Sequence, residues 1–335
     1  MNCYCTIITA DYSPYAASLQ FSLQNVDSST KKLFALVASL KEDCKTELVP
    51  FDGVEYIFLD NLCKDGLGKA IKDKYYGDFM DEFRWSMKSV LMLWLLQHKK
   101  YDKVIYLDCD LYFYSNPDFL FEELDKNRVL LTPHWRSRNP IIDQENFLLL
   151  GTDGLFNGGF IAANSEALDV VTWWAETCLF ICLKDKLKGL WDDQTHLNMM
   201  PVYFEGVKII RHKGCNVAYW NSYECERAKQ ENGEVIIAKE FPIVFIHFTK
   251  STITGILNGQ EVLLKPYLEK YSSTLMRFRE ELNIIKIHQE KLNKFNAEQD
   301  RITKLKEEEE KKRRKNLPLI QRIRLQLAEI KRKFK

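Results

Sequence analysis

The sequence predicts an α/β fold: a mixed, mostly parallel sheet flanked by helices, followed by a helical C-terminal tail. Three observations predict it. Short apolar, β-branched runs alternate with segments of helical periodicity through most of the chain. Val104–Leu107 is an unbroken apolar run without polar alternation, which marks a strand covered on both faces. Beyond about Gly259 the strand patterns stop and one helical pattern continues.

Each element follows in order. Cys3–Thr9 is the first strand, with Cys3 and Cys5 as small buried hydrophobes. Ser13 then Pro14 suits a helix start, Ser13 capping and Pro14 in the first turn, and the helix runs to about Val26. Leu33–Ser39 and Val54–Leu59 read as the second and third strands. Asp81–His98 is a helix, because Phe83, Met87, Val90, Leu91, Trp94 and Leu95 recur at helical spacing. Val104–Leu107, Phe160–Ala163 and Ile243–Phe248 supply further strands, the first expected to be central and parallel.

Composition narrows the function classes. Net charge is +1, so the whole chain carries no electrostatic address, but residues 311–335 hold eleven Lys/Arg and one Glu. That segment is therefore +10 and the remaining 310 residues are −9. Nine cysteines without a CxxC pair argue against a disulfide scaffold or a zinc site. The N-terminus has no basic, then apolar, leader pattern, and no apolar run is long enough to span a bilayer. The expected location is cytoplasmic.

The chemistry gathers at VIYLDCDLYFY, Val104–Tyr114. In open α/β sheets ligands bind outside the carboxyl ends of the strands, where Asp108 and Asp110 fall. Residues i and i+2 of an extended segment point the same way, so the two carboxylates converge. One reading caps the next turn or pairs them with Lys. The other gives them a divalent cation, Mg²⁺ or Mn²⁺, because oxygen ligands suit these ions and unpaired carboxylates resist burial.

Further pieces follow in order: KYDKVIYLDCDLYFYSNPDFLFEEL, FNGGFIAAN, WDDQTHLNMM, YWN and FIHF. Together they resemble the GT-A (Rossmann-like) nucleotide-sugar glycosyltransferases, and within them the glycosyltransferase family 8-like group, over about residues 1–250. The resemblance implies a nucleoside-diphosphate sugar as donor, UDP favoured, and a glycan or lipid-linked glycan as acceptor. It implies that Thr9, Asp11 and Tyr12 receive the base, with the aromatic ring stacking on it; the alternative is a plain helix-entry turn. Arg84 and Lys88, four apart on one helix face, would reach the diphosphate or sugar, or else form a solvated face. Asp108 and Asp110 match the DxD motif, and His247 the third metal ligand; an imidazole tilts the choice toward Mn²⁺.

Asn157 and Gly158 would border the donor sugar, or simply turn into the next strand. Asp193 would hold a sugar hydroxyl and Gln194 would lie opposite the leaving group. Asp192 or Asp193 could instead cap a helix starting near Thr195. An inverting enzyme would need a carboxylate base, for which Asp192, Asp193 and Asp153 are available; the Asp-Gln pair favours retention. The sequence departs from the family after the histidine: it reads HFTKSTITG where the family has Gly and then Lys-Pro-Trp. Lys250 would take the phosphate-clamping role in a shifted register. A sugar-phosphate nucleotidylyltransferase would want a Gly-rich loop after the first strand, which TADYSPY lacks. An inactive scaffold would not need Asp108, Asp110 and His247 together.

The expected organisation is a catalytic domain over residues 1–260, a long helical segment over 261–310 and a basic amphipathic helix over 311–335. Leu292, Phe295, Ile302 and Leu305 form an imperfect heptad, so a coiled coil with a second copy of the chain is one expected partner. Ile320, Ile323, Leu327, Ile330 and Phe334 repeat at 3, 4, 3, 4 amid basic residues, which suits an anionic membrane surface at the inner face. Phe334 is the one aromatic among those charges and belongs to the apolar stripe, so nucleic acid is not an expected partner.

Overall fold

The structure is a computed structural model that describes residues 1–27, 31–39 and 48–315. It divides into two compact units, Met1–Ile285 and Lys286–Lys335. The first half of the first unit runs β1 (Asn2–Ile8), α1 (Ser13–Val26), β2 (Leu33–Val37), β3 (Val54–Phe58), α2 (Leu59–Leu62), α3 (Gly66–Tyr75), α4 (Met80–Gln97), β4 (Lys103–Leu107), β5 (Leu111–Phe113), α5 (Asp118–Glu123) and β6 (Val129–Pro133). It continues through α6 (Gln144–Thr152), β7 (Phe156–Asn164), α7 (Leu168–Phe180), a hairpin of β8 (Leu183–Asp185) and β9 (Leu190–Asp192), α8 (Gln194–Leu197), α9 (Met200–Tyr203) and β10 (Val207–Ile209). Short strands β11 (Arg227–Lys229), β12 (Val235–Ile237), β13 (Phe241–Pro242) and β14 (Phe245–His247) precede α10 (Lys250–Leu257) and α11 (Lys265–Phe278).

The central sheet has seven strands in the order β10-β6-β7-β4-β1-β2-β3. All neighbours are parallel except β7, which runs against both β4 and β6. This is the mixed, mostly parallel sheet that the sequence predicts. The strand β4 is buried on both faces as expected, but it is parallel to β1 alone, because its other neighbour is the reversed β7. That reversal has a consequence for function. Phe160 of β7 pairs with Leu107 of β4, so the start of β7 lies beside the residues that leave the end of β4.

Period-two alternation sends the side chains of β1 into two separate cores. Cys3, Cys5 and Ile7 join Met87 and Leu91 of α4 and Trp174 of α7. Tyr4 and Ile8 join Leu19 and Leu23 of α1 on the other face. The helix α1 begins at Ser13 with Pro14 in its first turn, so Tyr12 rather than Ser13 holds the capping position, and the Ser13 hydroxyl accepts the Val49 amide.

A third core forms where β14 pairs with β5, around Tyr112, Ile246, Phe248 and Tyr271. The helix α11 belongs to this core through Leu268, Tyr271 and Leu275, so the compact unit reaches Ile285, past residue 260 where the sequence placed its boundary. The long helical segment expected over 261–310 is interrupted: α11 ends at Phe278, and α12 (Ile284–Lys315) starts after a short link that turns at Glu280 and Glu281. In the second unit Phe295 and Leu305 are exposed. The amphipathic repeat at 320–334 lies outside the described residues. Among the described residues no helix is long and apolar enough to cross a membrane.

Candidate active site

Asp108 and Asp110 lie in the three-residue turn between β4 and β5, at the carboxyl end of β4. Three contacts shape this turn. The Asp108 amide donates to Gly159 O of β7 (2.9 Å), Leu111 N bonds back to Asp108 O (3.1 Å), and Phe248 N donates to Asp110 O (3.0 Å). His247 is the last residue of β14, opposite Leu111 in the β5 pairing. Strand register therefore delivers the imidazole to the carboxylates. Its Nε2 is 3.0 Å from Asp110 Oδ1 and 3.9 Å from Asp108 Oδ2. One ligand atom from each residue falls within 4.8 Å of the others, a set that could hold a divalent ion.

Electrostatics already tie the group together. Burial would raise the Asp110 pKa, but the imidazolium of His247 outweighs it and holds the carboxyl below its ordinary value. Burial would lower that of His247, but Asp110 and then Asp108 outweigh it and raise it. The Tyr106 hydroxyl donates to Asp108 Oδ1 (2.8 Å).

Glycine shapes the floor. The segment FNGGF is not a turn into a strand but the first residues of β7 itself. A Cβ on Gly159 would come within 2.5 Å of His247 Cε1, 2.8 Å of Asn157 Oδ1 and 3.0 Å of Asp108 Oδ2. A cradle only a glycine leaves open, with two carboxylates and an imidazole around it, fits a hard divalent cation. One on Gly158 would stand 3.1 Å from Asp193 Oδ2.

Lys88 of α4 reaches the same place, buried, with Nζ donating to Gly158 O (2.9 Å). It stands 3.5 Å from Asp108 Oδ1 and 3.3 Å from Asp193 Oδ1. Burial opposes its charge, but Asp108, Asp193 and Asp192 outweigh that and raise its pKa. Asp193 is fully buried, and beyond this ion pair neither of its oxygens has a hydrogen-bond partner among the described residues. Burial, opposed by Lys88, pushes its pKa up. A buried carboxylate left so poorly satisfied is poised to accept ligand hydroxyls.

Asp193 caps α8 by position but with no side-chain bond. Asp192, in the left-handed region at φ 47°, accepts Gln194 N (3.0 Å) and faces Lys184 at 3.5 Å. Gln194 is fixed at both ends of its amide: Oε1 accepts Gly158 N (3.1 Å) and Nε2 donates to Asp153 O (2.7 Å). Asp153 is held in turn by Arg136 (2.9 Å).

Other residues lie further out. Thr9 Oγ1 donates to Asp11 Oδ1 (2.5 Å), and Tyr12 is 44% exposed with its ring stacked on Tyr15 at 4.8 Å. Arg84 pairs with Asp81 on the surface of α4. Lys250 is exposed as the first residue of α10, a helix capped by the Thr249 hydroxyl. Sequence reasoning did not single out three of the supports. His134 sends Nε2 to the Asn157 amide (3.2 Å) and Nδ1 to Gly154 O (2.8 Å). Asn216 touches His247, and Tyr106 holds Asp108. Tyr106 alone carried a signal, being two residues before Asp108 on the same strand face.

No family model matches the chain. Two uncharacterized proteins of Bacillus subtilis (strain 168) are similar in sequence. YfnF is 27% identical over 273 residues, 76% of this chain and 83% of its own length. YfnD is 27% identical over 245 residues, 66% of this chain and 74% of its own. Mouse xyloside xylosyltransferase 1 is similar in structure at TM-score 0.47 and 17% identity, over 75% of this chain and 99% of its own. The galactosyltransferase LgtC, solved with donor and acceptor sugar analogs, gives 0.46 at 14% identity over 74% and 87%. The glycosyltransferase GlyE of Streptococcus pneumoniae TIGR4 gives 0.46 at 16% over 84% and 64%. Enzymes that transfer sugars are thus what this chain is similar to in structure.

Proposed function

We propose that the protein is a metal-dependent glycosyltransferase that moves a sugar from a nucleoside diphosphate, UDP by preference, to a hydroxyl of a glycan or lipid-linked glycan. One observation carries the reading. Asp108, Asp110 and His247 converge at the end of β4 directly beside the buried Lys88–Asp193 pair. A cation site and a hydroxyl-binding carboxylate side by side match a donor whose diphosphate and sugar are adjacent.

In this reading Asp108, Asp110 and His247 hold Mn²⁺ or Mg²⁺, which when bound offsets the charge of the departing diphosphate. Thr9, Asp11 and Tyr12 receive the base. Arg84, Lys88 and Lys250 are the cations available to the phosphates. Asn157 and Gly158 border the sugar, and Asp193 accepts its hydroxyls. Gln194 fixes the Gly158 amide and so the wall of the sugar pocket.

Retention of configuration is the favoured outcome. Asp192 is engaged by Gln194 N and Lys184, Asp153 by Arg136, and this reading commits Asp193 to the donor sugar's hydroxyls, which leaves none of the three expected bases assigned to activating a water or an acceptor hydroxyl. Residues 311–335 would hold the enzyme on an anionic membrane at the inner face, near lipid-linked acceptors. The test is nucleoside-diphosphate release from a panel of UDP- and GDP-sugars, with and without a chelator. Release from one donor that stops on chelation and returns with Mn²⁺ supports the reading; no release from any donor contradicts it.

A further inference from the structure

Resting on the metal site proposed above, we infer that Asn216 is the positioning residue that prepares His247 to bind the ion. Asn216 lies in the segment between β10 and β11, distant in sequence from all three ligand positions, and is fully buried. Its Oδ1 is 3.2 Å from His247 Nδ1. An amide oxygen can only accept, so this contact keeps the hydrogen on Nδ1. The lone pair of the neutral ring then lies on Nε2, the nitrogen that faces Asp110 and Asp108. The other end of the amide fits the same orientation, because Nδ2 is directed at the Thr132 hydroxyl, 3.4 Å away.

The backbone around Asn216 is built to keep it there. Its φ is 61°, in the left-handed region, which asparagine tolerates better than most residues. The next residue is strapped to β14 on both sides: Val217 N donates to Phe245 O (3.1 Å), and His247 N donates to Val217 O (2.9 Å). The Asn216 carbonyl accepts the Asn221 amide (2.8 Å), and Asn221 Oδ1 accepts Arg227 Nη2 (3.0 Å). Arg227 ends the chain of contacts in a buried ion pair with Glu261 (3.2 Å). The ring of Trp220 closes edge-on against His247 at 5.5 Å. A strained, buried polar residue supported on every side and aimed at one imidazole nitrogen is an orienting partner. Losing such a partner typically weakens metal affinity by about 10- to 100-fold.

Two substitutions in the full chain separate side chain from backbone. Asn216→Gly keeps the left-handed conformation and removes the acceptor; Asn216→Asp keeps an acceptor on the same stem. Free Mn²⁺ is followed by its electron paramagnetic resonance signal as protein is added, with and without UDP. UDP binding without metal is measured alongside. The expected result is an Mn²⁺ Kd about 10- to 100-fold weaker in Asn216→Gly, within about threefold of the original in Asn216→Asp, and unchanged metal-free UDP binding in both. Folded Asn216→Gly protein that binds Mn²⁺ as the original does overturns the inference while leaving the metal site standing. So does folded Asn216→Asp protein that loses Mn²⁺, which keeps the test decisive if the glycine variant fails to fold. An original chain that binds no Mn²⁺ under either condition removes the site itself and the inference with it.

Discussion

Gly159 brings no functional group to the site, yet it decides whether the group can exist. An added methyl would collide with His247, Asn157 and Asp108 at once. Gly159→Ala is expected to abolish Mn²⁺-dependent nucleotide binding and to cost about 1–3 kcal/mol of stability from overpacking. Gly151→Ala is the matched control. It lies in α6 with open space where its Cβ would go, and should stabilise the chain by up to about 1 kcal/mol. Urea denaturation and calorimetry of both variants check this; equal effects would contradict it. His134 makes a second prediction. Burial, then the nearby Arg136, pushes its pKa down to about 3. The unfolded chain therefore takes up a proton below about pH 6.5 that the folded chain refuses until near its own depressed pKa. Stability should fall as the pH drops through that window, by about 3 kcal/mol from pH 6.5 to 4 through this residue. His134→Asn should flatten that part of the pH profile in urea melts; an unchanged slope would show that the buried ring carries no such linkage.

At the scale of elements, the sequence was most legible where one face or one strand dictated the pattern. The periodicity of α4 and the unbroken apolar run of β4 are direct consequences of burial, and both elements are where they were expected. Asp108, Asp110 and His247 could be placed because each ends or follows a strand. Other features depended on distant partners. FNGGF read equally well as a turn, and only the pairing of β7 with β4 and β6 makes it a strand. Asn216 and His134 carry no periodic signal at all, since their roles come from loops brought together in space. The break after α11 was hidden for the same reason. Residues 279–283, REELN, are rich in helix formers, but Arg279 is extended (φ −154°) and donates to Asp11 O (3.1 Å), a tertiary contact that overrides propensity. A prediction belongs here. A chain ending at residue 285 should fold cooperatively, whereas one ending at 260 should not, because it loses Leu264, Leu268, Tyr271 and Leu275 from the third core. Each buried residue of this size contributes about 1.5–3 kcal/mol, together comparable to the whole stability of a domain. Equal thermal unfolding of the two truncated chains would contradict this.

For the whole molecule, three cores and one sheet converge on the carboxyl end of β4. The reversed β7 carries the glycine floor to it, β14 brings the histidine from the third core, and α4 brings Lys88 from the first. Charge is divided along the chain, with the +10 segment at 311–335 separate from the −9 remainder. The most direct test of the central claim is a calorimetric titration of the full chain with UDP and with GDP, each with and without Mn²⁺, repeated on Asp110→Asn. The account predicts tight binding of one nucleotide, UDP, that requires Mn²⁺ and weakens at least about tenfold in the variant. Binding of neither nucleotide, or binding indifferent to both metal and Asp110, would contradict it and return the two carboxylates to the role of strand-end structure.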